Sequence, residues 1–227
     1  MQAVFHDKSL NVIFGLLEQA SLRTKKGSHW FSQIFARVLP ANPDRATHIL
    51  LGMMQSDVYE VSQAAVELFP TVAAQRPQEL MEGIGKLMLS GERNMSLLFR
   101  RYPIISLPED VVIQWLEKHG LEGARLLARH VPGPFVGTNG PDLNPITRFI
   151  LERYGEDERV FSGWIAGMYS GQAFAGSIAD YTERRAAMAE PFLNFPIEAV
   201  RRWARGQLLF AEENVPKFRL SEEEAGF

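Results

Sequence analysis

Residues 57–69 read DVYEVSQAAVELF, and their apolar members recur at a spacing that a helix gathers onto one face. Val61, Ala65 and Phe69 stand at i, i+4 and i+8, so the segment carries one apolar stripe with a small residue at its centre. Alanine there lets a neighbouring helix come close. The same periodicity continues on the N-terminal side, in Leu10, Ile13, Phe14 and Leu17 and then in Trp30, Ile34 and Val38. No sustained alternation of β-branched and polar residues occurs, and Asn139-Gly140 lies in a Pro/Gly-rich stretch rather than between strand-like runs. An all-α fold is predicted.

Proline marks where the helices start, because its missing N–H removes no intrahelical bond in the first turn. Asn42-Pro43-Asp44, Pro77-Gln78-Glu79, Pro108-Glu109-Asp110 and Asn144-Pro145 each open an apolar-periodic segment, and their prolines are 34, 31 and 37 residues apart. Each interval holds two helices and two turns, with breaks at Gln55-Ser56-Asp57, Ser90-Gly91-Glu92, His119-Gly120 and Gly155-Glu156-Asp157. Helix hairpins are therefore expected at 8–22 with 29–39, 43–54 with 57–69, 77–89 with 92–101, 108–118 with 121–130 and 145–154 with 157–168. Helices at 177–190 and 196–213 close the array. So short a helix is marginal alone, because nucleation is unfavourable, and stability must come from stacking. The expected organisation is one helical-repeat domain over 1–213, with a Pro/Gly-rich loop at 131–144 and an acidic tail at 214–227.

The second helices of two pairs resemble the second helix of a HEAT repeat, whose pattern runs Asp, then Val-Arg-x-x-Ala-x-x-x-Leu. Asp57, Val61, Ala65 and Phe69 match it in one place, with Ser62 where the arginine stands. Val200, Arg201, Ala204 and Leu208 match it in another, without the preceding acid. The resemblance implies a HEAT-like α-solenoid of about six hairpins whose second helices line an inner, partner-binding face; an irregular helical bundle is the alternative packing. On that analogy the inner rows carry Glu60, Gln63 and Glu67, then Arg93, Arg100 and Arg101, then Arg125, Arg129 and His130. Each of these residues has a plain alternative as part of a solvated helix face.

The chain has 227 residues and no cysteine, which excludes thiol catalysis, Cys-ligated zinc, iron–sulfur clusters and disulfides. Its net charge is −3, yet residues 1–211 hold 22 basic and 22 acidic side chains, so the imbalance belongs to the C-terminal segment. A neutral body lacks the clustered basic excess by which proteins neutralise phosphates, so no strong nucleic-acid signal is present. No apolar run reaches the roughly 18 residues that a membrane span needs. The run Val12–Leu17 is bracketed by Asp7 and Glu18 and reads as a helix rather than a signal peptide, so a cytoplasmic location is expected. Several sides of that first helix are apolar, which points to self-association or a covering domain.

Phosphate-binding loops, dinucleotide fingerprints, H-E-x-x-H and G-x-S-x-G are all missing. None of His6, His29, His48, His119 and His130 follows a glutamate by three residues, so the paired helical metal motif is absent and neither metal nor cofactor is expected. Trp30, Trp115, Trp164 and Trp203 have the spacing of core or inter-repeat packing. The expected role is a non-enzymatic scaffold, or a helical module of a larger assembly, that binds a partner protein. The alternative is a nucleic-acid-processing protein similar to the HEAT-like alkylpurine DNA glycosylases, which requires a basic channel and aromatics beside an acid. Two stretches stand apart: Val131–Asn144, a functional loop or an inserted offset with Phe135 as its candidate anchor, and 163–177 with Gly163, Gly167, Gly171, Gly176 and the aromatics Trp164, Tyr169 and Phe174, read as helix packing and turns, with a ligand pocket as the alternative.

Overall fold

The computed structural model describes residues 11–16, 19, 33–35, 37–56, 58–90, 104–170 and 176–225. Among them the chain is α-helical apart from one two-stranded hairpin, and no helix is long and apolar enough to cross a membrane. It divides into two compact units, Met1–Lys118 and His119–Phe227. The expected helix at 92–101 lies outside the described residues, and of the leading pair only 11–16, 19, 33–35, 37 and 38 are recorded as helical, with a 3-10 turn at Leu39–Ala41.

In the first unit, α1 (Pro43–Met54) begins where Asn42 accepts a hydrogen bond from the Arg45 amide and Pro43 takes the first helical position. Its buried face carries Ala46, Ile49, Leu50 and Met53. α2 (Tyr59–Gln75) buries Val61, Ala65 and Phe69 at 4%, 0% and 2% exposure, which makes the stripe predicted from the sequence the core-facing one. The helix does not stop at Phe69. Pro70 stands inside it, and the chain stays helical to Gln75, burying Val72 and Ala73 on the next turn. That further burial opposes the loss of one backbone hydrogen bond at the proline. α3 (Pro77–Leu89) packs Leu80, Met81, Ile84 and Met88 inward. Gly85 lets Trp115 lie against its backbone, for a Cβ built there would stand 2.3 Å from the indole Nε1.

α4 (Glu109–Leu127) is broken at Gly120, whose φ of +58° lies in the left-handed region that favours glycine. His119-Gly120 is thus the mid-hairpin break that the sequence marked. After it, Ala124, Leu127 and Ala128 are fully buried, and a 3-10 turn at Ala128–His130 packs on α6 (Glu158–Tyr169). The segment expected to be an irregular loop contains a hairpin, β1 (Phe135–Gly137) with β2 (Gly140–Asp142), paired antiparallel across Thr138-Asn139. Gly140, at φ +103°, makes that two-residue connection possible. The turn signal was present in Asn139-Gly140, but strands of three residues are too short to show alternation.

Phe135 is 48% exposed and does not anchor this loop. Val131 and Leu143 do, by burial, together with the Pro132 carbonyl, which accepts hydrogen bonds from Thr147 Oγ1 at 3.1 Å and Trp164 Nε1 at 3.3 Å. α5 (Pro145–Tyr154) is capped by Asn144, and α6 by Asp157. α7 (Ile178–Ala189) packs along α8 (Glu198–Glu224), and Trp203 meets both Trp164 and Phe192 edge-on in the core. Residues 214–224, expected as the start of a tail, extend α8 through Pro216. They are tied down where Glu222 accepts from Ser177 Oγ and from the Ile178 and Ala179 amides, and where Arg219 bridges Asp180 and Glu183.

Candidate functional site

Several side-chain ties join residues 32–36 positions apart, close to the spacing of the helix-opening prolines. In the first unit Arg76 reaches Asp44, 32 residues back, and Lys118 reaches Glu82, 36 back. In the second, Arg125 holds Asp157 at an offset of 32, and Trp203 Nε1 donates to the Tyr169 hydroxyl at 34. Of the inner rows expected from the sequence, Glu60 and Glu67 are exposed on α2 and Gln63 is half-buried. Arg93, Arg100 and Arg101 lie outside the described residues.

Arg125, Arg129 and His130 have three different environments. Arg125 is committed to Asp157 through two hydrogen bonds, Nε to Oδ1 at 3.1 Å and a terminal nitrogen to Oδ2 at 2.5 Å. This pairing holds the Asp157 carboxyl well below its usual range, at about 2. Arg129 is exposed. His130 is half-buried, and burial, with the charge of Arg129 adding, pushes its imidazole down to about 4, so it is neutral at pH 7. Among the described residues Arg129 is therefore the charged member of this row that stands exposed without an ion pair.

A cavity of about 330 Å³ opens in the second unit, between the Gly133-Pro134 bend, the C-terminal end of α6, α7 and Trp203. Its wall combines Met168, Tyr169, Tyr181, Arg184, Arg185 and Met188. The Arg185 guanidinium lies 3.6 Å from the centre of the Tyr169 ring and 5.5 Å from that of Tyr181. It donates to Gln207 Oε1 at 2.7 Å, a neutral partner, and among the described residues no acid pairs with it. Tyr169 is fixed in turn by the Trp203 indole at 2.9 Å. Positive charge is thus presented from a rigid aromatic setting.

The first unit has a larger groove, of about 850 Å³, between α1 and α3. Its carboxylates are already engaged: Asp44 and Glu79 with Arg76 at 3.3 and 3.9 Å, and Glu82 with Lys118 at 2.6 Å. Among the described residues no three or more His, Asp or Glu side chains gather as a metal site would require. The sequence reading offered a ligand pocket only at 163–177, which supplies Met168 and Tyr169 to this cavity, and passed over the wall that α7 contributes. Tyr181, Arg184, Arg185 and Met188 stand at i, i+3, i+4 and i+7, an aromatic–basic–sulfur stripe on one face of α7. Neither a family model, nor a curated protein, nor a solved structure matches this chain.

Proposed function

We propose that the chain is a HEAT-like α-solenoid acting as a non-enzymatic, cytoplasmic scaffold that holds a partner protein on the second helices of its hairpins. The observation that carries this reading is the repeat-length offset of the ties from Asp44 to Arg76, Glu82 to Lys118, Arg125 to Asp157 and Tyr169 to Trp203. Contacts that link each hairpin to the next are the bonding pattern of a stacked repeat array. In the first unit exposed acid stands on α2, in Glu60 and Glu67, and in the second exposed base follows α4, in Arg129. Mixed sign suits a protein surface better than a polyanion.

The test is affinity capture with mass spectrometry, comparing the wild type with Glu60→Lys/Glu67→Lys and with Arg129→Glu. Reversing exposed charges leaves the core intact, so both variants should keep their melting temperature and lose the captured partner. An unchanged set of captured proteins with both variants would overturn the assignment of the face.

A further inference from the structure

Independently of any protein partner, we propose that the cavity of the second unit binds a small organic anion, a carboxylate or phosphate head carried on an apolar body. Its volume of about 330 Å³ falls at the lower end of the roughly 300–1,000 Å³ typical of small-molecule pockets. Among the described residues two guanidiniums line it and no carboxylate does. Among the described residues neither Arg184 nor Arg185 is paired with an acid, whereas Arg125, Arg148 and Arg219 in the same unit are.

Arg185 is held for a ligand in advance. Stacking on Tyr169 and the bond to Gln207 fix the plane of its guanidinium, yet a single hydrogen bond to a neutral amide leaves most of its five donors unspent. An oxyanion accepts two such donors side by side in charge-assisted bonds about twice as strong as those a neutral acceptor makes, and a cationic group is repelled. The rest of the wall suits the body of the ligand. Met168 and Met188 supply adaptable apolar surface, and Met188 is 68% exposed at the end of the aromatic–basic stripe, a position with no packing role in the core. Two charges in a cavity of this size fit one anionic head; a polyanion would need a row of them.

The test uses the full chain labelled at the methionine methyl carbons and titrated by NMR with phenylacetate, phenyl phosphate and the neutral isostere phenylacetamide, with Met168→Leu and Met188→Leu assigning the two signals. At about 10 mM, where a millimolar site saturates, at least one of the two anions should shift the Met168 and Met188 methyls along a saturable curve. Phenylacetamide should bind about tenfold more weakly or worse, as loss of a charge-assisted hydrogen bond requires. Arg184→Gln, an exposed substitution, should weaken the anion by a similar factor while the other methionine signals stay in place. The proposal fails if both anions leave the two methyls unmoved, if phenylacetamide binds as well as the anions, or if Arg184→Gln binds as tightly as the wild type.

Discussion

Arg125 grips the carboxylate of Asp157 with two hydrogen bonds, and the same carboxylate accepts the Arg159 and Val160 amides that open α6. One side chain therefore both caps a helix and ties it to the preceding hairpin. The folded carboxyl titrates at about 2 against an ordinary value of 3.8, so the unfolded chain takes up this proton first. Its contribution to stability is complete above about pH 5 and is lost as the pH falls through the folded value. Asp157→Asn keeps a capping oxygen and removes the charge. It should lower the melting temperature at pH 7 by about 2–4 °C, with the difference from wild type closing as the pH approaches 2. A difference that stayed constant from pH 7 to pH 2 would show that the charge is not what holds the pair.

Tyr169→Phe removes the acceptor of the Trp203 indole N–H and little else. Trp203 is 7% exposed, so water does not readily replace the lost partner. A buried donor left unsatisfied is destabilising by about 1–3 kcal/mol. Urea unfolding should show that loss with an unchanged slope, whereas a variant as stable as wild type would mean that the indole finds another acceptor.

Much of this architecture could be read in the sequence, because capping is local chemistry. α1, α3 and α5 begin at Pro43, Pro77 and Pro145, the prolines picked out beforehand, and α4 begins at Glu109, one residue past Pro108. What escaped depends on contacts far apart in sequence. Pro70 looks like a stop signal until Val72 and Ala73 are seen buried beyond it, and residues 214–224 look like a solvated tail until Glu222 is seen capping α7. The same limit applied to function. The resemblance to HEAT repeats assigned Arg125 to a partner-binding face, but only the fold reveals that Asp157 already occupies it. The cavity around Arg185 depends on Tyr169 and Gln207, which flank it in sequence at distances no local pattern links.

Glu222 satisfies the Ile178 and Ala179 amides at the start of α7, at 2.5 and 3.2 Å, and receives the Ser177 hydroxyl at 2.8 Å. Those amides have no intrahelical partner. In Glu222→Ala, hydrogen exchange at Ile178 and Ala179 should accelerate about tenfold or more, and exchange along residues 214–224 should rise with it, while the core amides of α6 stay protected. Unaltered exchange at both amides would mean that the end of α8 does not hold α7.

Two glycines within helices separate packing from propensity. Gly206 lies exposed in α8 with nothing within 4 Å of where its Cβ would stand, so Gly206→Ala only removes backbone freedom from the unfolded chain. It should stabilise by about 0.5–1 kcal/mol. At Gly167 in α6 the same atom would stand 2.3 Å from the Arg129 carbonyl oxygen and 2.7 Å from the carbonyl carbon. Backbone cannot rotate aside as a side chain does, so α6 would have to withdraw from the 128–130 turn. Overpacking of that kind is destabilising by about 1–3 kcal/mol, which outweighs the gain in helix propensity. Urea denaturation of the two variants should move in opposite directions. A stabilised Gly167→Ala would show that α6 does not lie against the Arg129 backbone.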